Sequence, residues 1–191
     1  MKLVDGILLY HGSYVPVEKI DLTKCDAGKD FGKGFYLTTD KTQAQNFIKT
    51  SLLKAKVRKV IPENQNYGYV TCYKYHASSE SNSVYEFSDA NMQWLWFIAL
   101  NRRNKLATVL KDKIDNSIYG SDVIIGKIAN DTTNPVITTY LNGLYGEVDK
   151  ESSAQIAISL LLPNRLKEQY CFLTQQAIDC LETVEVEKYE L

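Results

Sequence analysis

Metal chemistry and disulfide bracing are the first things this sequence lacks. It has two histidines and four cysteines in 191 residues, with no C-x-x-C pair among Cys25, Cys72, Cys171 and Cys180. No familiar zinc-ligand spacing can be drawn, so no metal site is expected, and the cysteines read as reduced thiols in or near the core. No apolar run approaches the roughly 20 residues that span a bilayer. The first residues, Met1-Lys2-Leu3-Val4-Asp5, do not follow the basic, apolar, small-residue order of a signal segment. No membrane association is expected, and the expected compartment is the cytoplasm. An excess of one charge is missing too. The formal net charge is −1, which gives no global field to attract nucleic acid, although a local basic patch is invisible in such a total. There is no internal repeat and no low-complexity segment.

What is present is the composition of one globular domain spanning residues 1–191, with 45% hydrophobic and 24% charged residues. Thirteen tyrosines suit strands and core margins, where the ring packs and the hydroxyl stays wet. Residues Ile7–Tyr10 are a short apolar run with strand character, closed by His11-Gly12-Ser13 as the chain enters a loop. Tyr14–Phe31 carries Pro16, Asp21, Asp26, Gly28 and Asp30 and reads as a long irregular connection. Phe35-Tyr36-Leu37 is a buried strand end. Asp40, with Gln43 three residues on, has the capping-box pattern for a helix to about Lys56.

Val57–Ile61, Tyr67–Tyr75 and Val84–Phe87 look like strands, with the polar stretch His76–Ser83 as an exposed turn. Asn91–Arg103 reads as a strongly apolar helix that anchors the core. Val123–Gly126 is a buried strand, and Pro135–Leu144 and Asp149–Leu162 look like helices. Gln169–Leu173 is a further strand, Thr174 caps a last helix to about Leu181, and Val184–Val186 forms an edge strand. Short strands grouped between helices point to an α+β fold, not a doubly wound parallel sheet.

Three stretches stand out: Leu9-Tyr10-His11-Gly12-Ser13, Gly32-Lys33-Gly34-Phe35-Tyr36-Leu37-Thr38-Thr39-Asp40, and Glu168-Gln169-Tyr170-Cys171-Phe172. Alone, each is ordinary core or turn sequence. Together they resemble the His-Tyr-Glu signature of the diphtheria-toxin-like and poly-ADP-ribose-polymerase-like ADP-ribosyltransferases, with Gln169 where those enzymes carry Glu. That resemblance implies that His11 hydrogen-bonds a ribose hydroxyl of NAD and that the Gly12 backbone clasps the nicotinamide carboxamide. Ser13 and Gly34 belong to the same implied cofactor site. Tyr36 would stack on the nicotinamide ring, with Phe47, eleven residues later, covering the other face. Ala44 stands where the polymerase branch has a Ser that bonds the amide, so one hydrogen bond worth about 1 kcal/mol is absent. Gln169 keeps a hydrogen-bond acceptor but loses the charge that stabilises an oxocarbenium-like transition state. Glu168 does not replace it, because adjacent strand residues point to opposite faces.

The resemblance implies a split, two-sheet α+β core with peripheral helices, NAD as co-substrate and a His11–Tyr36–Gln169 triad. The expected activity is mono-ADP-ribosyl transfer to a macromolecular acceptor, or NAD hydrolysis, without polymer elongation. The chain is also similar, over nearly its whole length, to an uncharacterised bacterial family of transferase-like domains. The transferase class includes toxins of toxin–antitoxin pairs, which implies a small antitoxin protein as a partner. The other reading is a catalytically inactive module that binds NAD or ADP-ribose, favoured by Gln169 and Ala44. Asn101-Arg102-Arg103 complements a helix C-terminus or binds pyrophosphate. Asp122 and Asn130-Asp131 read as caps and turn residues. Residues Asn130–Lys167 lie where acceptor-recognition loops of the class lie.

Overall fold

The computed structural model describes residues 2–78, 82–129, 133–162 and 166–191. Its strands form two sheets. The first comprises β1 (Leu8–Ser13), β3 (Tyr67–Tyr75) and β7 (Leu181–Glu190), all antiparallel in the order β1-β3-β7. The second is formed by β2 (Phe35–Leu37), β6 (Glu168–Phe172), β5 (Val123–Lys127) and β4 (Val84–Glu86), in the order β2-β6-β5-β4, with only the β4–β5 pair parallel. Six α-helices accompany them among the described residues: α1 (Lys41–Val57), α2 (Met92–Arg102), α3 (Ala107–Leu110), α4 (Asn134–Leu141), α5 (Glu151–Leu161) and α6 (Gln175–Ile178). The architecture is α+β, as expected from the grouping of short strands.

Strand alternation sorts the side chains into three apolar layers. Between the sheets lie Leu9, Tyr73 and Tyr75 from one side and Phe35, Tyr170 and Phe172 from the other. On the outer face of the first sheet, α1 buries Ala44, Ile48 and Leu52 against Val70. On the outer face of the second, α2, α4 and α5 pack over Ile124 and Cys171. Helix α2 is buried continuously from Trp94 to Ala99. It therefore sits inside the protein, and its Leu95 and Ile98, both with no exposed surface, contribute about 1.5–3 kcal/mol each.

Capping follows the local sequence. Asp40 accepts the Gln43 N–H, Asn91 accepts that of Trp94, and Thr174 accepts that of Ala177. The reciprocal half of the capping box is missing, since the buried Gln43 Oε1 takes no hydrogen bond. Three expectations need correction. Val57–Ile61 is not a strand: Val57 ends α1, and Lys59 has φ 57°, with the N–H of Val60 returning to the Ala55 carbonyl. The β-branched residues there, Val57 and Val60, are exposed, so propensity without a partner strand decided nothing. The helix after Thr174 stops at Ile178, and the edge strand is ten residues long, because β7 pairs along the whole of β3. Finally, His11, Gly12 and Ser13 lie within β1, not in a loop after it. Part of the expected turn, 79–81, lies outside the described residues.

Candidate functional site

Among the described residues, one backbone bridge joins the two sheets. Tyr10 and Thr38 exchange both backbone hydrogen bonds, at 2.7 and 3.1 Å. In an antiparallel ladder the next such pair, two residues on in each strand, is Gly12 with Tyr36. It does not form. The Tyr36 carbonyl instead accepts the His11 Nδ1–H at 2.9 Å, so the imidazole is wedged where the strands diverge. Its ring lies 4.5 Å from that of Phe35, between centroids. Along β1, the register with β3 turns the backbone groups of Leu9, His11 and Ser13 toward β3 and those of Tyr10 and Gly12 away from it. The N–H and C=O of Gly12 are thus aimed into the gap between the sheets, and no described residue pairs with them.

Helix α1 closes one side of this gap. The carbonyl of Ala44 lies where a Gly12 side chain would be, 1.8 Å from an ideal Cβ. Gly12 is therefore required by packing, quite apart from any ligand. Phe47 is on the next turn of the helix with 42% of its surface exposed, and the Lys54 ammonium lies 5.8 Å from its ring centre. The rings of Tyr36 and Phe47 do not touch one another. Ser13 is buried, and its hydroxyl accepts the Val15 N–H at 3.5 Å, a turn contact. Gly34 is packed tight: a Cβ there would meet Cys171 Sγ at 2.5 Å and the Phe172 carbonyl at 2.8 Å. The glycine in that position lets β2 approach β6.

The third motif joins through register. Tyr36 lies opposite Cys171, and Gln169, two residues before it, shares the Tyr36 face of the sheet. Gln169 is buried, and its amide nitrogen donates to Asp30 Oδ2 at 3.0 Å and to the Lys127 carbonyl at 3.3 Å. Both neighbours are acceptors, which fixes the amide orientation, and among the described residues no hydrogen bond reaches its oxygen. Asp30 is the residue that sequence reasoning passed over. Its carboxylate also accepts from Arg102 Nη2 at 2.7 Å, Arg102 Nε at 3.0 Å and the Ala129 N–H at 3.1 Å. One residue on, the Phe31 N–H donates to the Tyr36 hydroxyl at 2.9 Å, and that hydroxyl donates to the Gly32 carbonyl at 2.8 Å. Residues Asp30–Gly32 are thus held by the polar ends of both Tyr36 and Gln169. The only sequence signal for Asp30 was an acid just before the Gly-Lys-Gly run.

Burial sets the ionisation of this group of side chains. Burial pushes the His11 pKa below its ordinary value, against the pull of the Tyr36 carbonyl, so the ring is neutral at pH 7, with Nδ1 protonated and Nε2 an acceptor. Burial also raises Tyr36 far above its ordinary value, with Cys171 and Asp30 adding to the effect. Its phenol remains protonated and serves as a donor to Gly32. The ion pair Lys127–Glu168, at 3.5 Å, closes the strand end beside Thr38, whose hydroxyl donates to the Glu168 carbonyl.

Other residues singled out in the sequence make structural contacts. Asp122 accepts from the Ser83 N–H and the Thr174 hydroxyl, a pair of turn contacts. Asn101 ties α2 to the loop through the Asp30 carbonyl, and Arg103 binds the Leu141 carbonyl and Asn142. Asn130 and Asp131 lie outside the described residues, as does part of the expected acceptor stretch. A hollow of about 560 Å³ lies away from the seam, lined by residues of the 27–33 loop, the end of α2 and Lys105. Among the described residues, no group of three or more His, Cys, Asp or Glu is placed to hold a metal ion, and no helix is long and apolar enough to cross a membrane. No curated protein matches the chain. Residues 7–183 match the family described as "Protein of unknown function (DUF3990)", and the chain belongs to that family.

Proposed function

We propose that this protein is an ADP-ribosyltransferase-like domain that takes NAD as co-substrate at the seam between its sheets. The observation that carries the reading is the opened ladder at Gly12 and Tyr36. An uninterrupted pair of strands would spend the Gly12 N–H and C=O on Tyr36. With His11 holding the Tyr36 carbonyl instead, a donor and an acceptor stand side by side on one glycine, the complement of a primary carboxamide. Phe47, half-exposed on α1 one turn past the Ala44 that packs on that glycine, and Tyr36, whose carbonyl the glycine would otherwise meet, are the candidate stacking rings, and stacking on a flat heterocycle needs no further polar group.

On this reading, Gly12 holds the nicotinamide amide, Tyr36 and Phe47 hold its ring, and the neutral His11 offers Nε2 to a ribose hydroxyl. The oxygen of Gln169 is offered to a second hydroxyl. The reaction breaks the bond between ribose C1′ and nicotinamide nitrogen, the electron pair leaving with nicotinamide. C1′ gains a bond to an acceptor nucleophile, which gives up its proton. Gln169 supplies no negative charge at that centre, so the enzyme transfers single units or hydrolyses NAD and does not build polymers.

The burial of the Gln169 amide nitrogen against Asp30 favours a second reading, an NAD- or ADP-ribose-binding module without turnover. Calorimetry with NAD and a nicotinamide-release assay, with and without cell lysate, separate the two. The transferase reading expects binding, release and single labelled additions on a gel. Binding without release selects the module, and absence of NAD binding under both conditions overturns the site itself.

A further inference from the structure

The hollow beside α2 concentrates positive charge on a chain whose formal net charge is only −1. Gly28 and Gly32, with φ of 74° and 91°, turn the loop so that Lys33 faces the end of the helix, where Arg102, Arg103 and Lys105 complete the wall. Asn101 fixes the two walls together by donating to the Asp30 carbonyl at 3.1 Å and the Phe97 carbonyl at 3.0 Å. Four cations therefore line about 560 Å³. Against them stand the Asp30 carboxylate, which is bound to Arg102, and the negative pole of α2, worth about half a charge. The balance is a surplus of roughly two and a half positive charges around one concave surface.

Among the described residues, the surplus is not spent. Arg103 gives its N–H groups to neutral acceptors, the Leu141 carbonyl and the Asn142 side-chain oxygen, and has no acidic partner among the described residues. Neither Lys33 nor Lys105 has an acidic partner among the described residues. Self-repulsion of this kind is unfavourable unless an anion relieves it. The adjoining hollow of about 310 Å³ continues the pattern with Lys29, Lys54 and Arg58 around Asp26.

We propose that the larger hollow is a binding site for a diphosphate-bearing ligand, held by Lys33, Arg103 and Lys105 with Arg102 behind them. Two lysine point charges and a fixed guanidinium suit several phosphoryl oxygens at once. The site stands apart from the Tyr36–Phe47 seam, and the inference does not rest on the NAD reading. It does adjoin it, since the Asp30 carboxylate that holds Arg102 also holds Gln169.

The test is calorimetric titration of the full chain with inorganic pyrophosphate at 50 mM and 200 mM salt. Saturable binding that weakens at the higher salt is expected. In a K33A/K105A variant, affinity falls at least tenfold, and in K33E/K105E binding is lost, while circular dichroism and Tm stay close to wild type because both side chains lie at the surface. Competition then assigns the source: displacement by NAD identifies the diphosphate as that of the dinucleotide, and persistence in the presence of NAD identifies a separate phosphorylated ligand. No saturable pyrophosphate binding, or equal affinity in wild type and K33A/K105A, overturns the proposal. Phe47→Ala, on α1 and outside the lining of the hollow, leaves pyrophosphate affinity unchanged if the sites are separate, so failure at the seam and failure at the hollow give different results.

Discussion

His11 Nδ1 stands 2.9 Å from the Tyr36 carbonyl, the acceptor that the Gly12 N–H would reach if β1 and β2 stayed paired beyond Tyr10 and Thr38. The side chain of one residue thus replaces the backbone bond of the next. The consequence is measurable by amide hydrogen exchange. The N–H groups of Leu9 and His11 lie in the ladder with β3 and exchange slowly. That of Gly12 is buried but unbonded, and it exchanges at least tenfold faster than either. NAD slows it, if the carboxamide binds there. A Gly12 amide as protected as its neighbours in the free protein contradicts the opened ladder. In His11→Ala the Tyr36 carbonyl is released, the strands can pair one step further, and the Gly12 amide becomes protected while NAD affinity falls.

The same histidine makes stability depend on pH. Its pKa in the folded protein lies below the ordinary 6.5 because burial disfavours the cation. As pH falls through 6.5 the unfolded chain takes up a proton that the folded one refuses, so stability declines until the folded pKa is reached and then stops changing on this account. Above 6.5 the contribution is fully present. The slope approaches about 1.4 kcal/mol per pH unit for one proton. Asp26 and Asp40 have pKa values held below the ordinary carboxylate range by hydrogen bonds from Arg58 and Lys167. Their contributions are lost only at more acid pH. Urea unfolding of wild type and His11→Gln between pH 5 and 7 tests this: the wild-type slope is present, and the variant's is flattened. Parallel curves contradict it.

How far the sequence could be read follows from what each residue depends on. Phe35-Tyr36-Leu37, Tyr67–Tyr75 and the Asn91 and Thr174 caps depend on neighbours in sequence, and those strands and helix starts stand where pattern and capping put them. Val57–Ile61 has equally good strand residues, but no strand lies beside it to pair with. The burial of His11 in a wedge, and the packing of Ala44 on Gly12, depend on a strand and a helix that arrive later in the chain. Asp30 was invisible for the same reason. Its partners Arg102, Ala129 and Gln169 are 72, 99 and 139 residues away, and no local pattern distinguishes it from the other acids of its loop.

Tyr36 and Phe47 should separate stability from binding. Phe47→Ala removes a ring that is 42% exposed, so stability changes by less than about 1 kcal/mol while NAD affinity drops roughly 5- to 150-fold, equivalent to 1–3 kcal/mol of lost stacking. Tyr36→Phe keeps the ring but strips Phe31 N–H and the Gly32 carbonyl of their partner. It costs about 1–3 kcal/mol of stability and leaves the stacking contribution in place. Thermal unfolding and NAD calorimetry on both variants give the comparison. A Phe47→Ala protein that binds NAD as wild type removes that residue from the site.

The last prediction concerns why residue 169 is an amide. A Glu there would turn a carboxylate toward the Asp30 carboxylate, which the Gln169 nitrogen now meets at 3.0 Å, and toward the Lys127 carbonyl at 3.3 Å. Two carboxyl groups so close cannot both ionise, and one is forced to keep its proton. Gln169→Glu alone is therefore expected to lose about 2–4 kcal/mol of stability and to gain no nicotinamide release, because its charge is not free to act. Asp30→Asn alone strands the largely buried Arg102 and costs about 3–5 kcal/mol. The exchange Asp30→Asn with Gln169→Glu moves the charge across the pair and restores a donor between the two side chains. It recovers at least about 1 kcal/mol relative to the sum of the single changes, the range seen for residues sharing one hydrogen-bond network. If the seam carries transferase chemistry, the exchanged protein also has a carboxylate where positive charge develops, and its nicotinamide release exceeds that of wild type. Chemical denaturation of the four proteins measures the coupling, and release assays on the same four measure the chemistry. Additive stabilities would mean that Asp30 and Gln169 do not interact as drawn. A stable exchanged protein that binds NAD and releases no nicotinamide would assign the domain to binding alone.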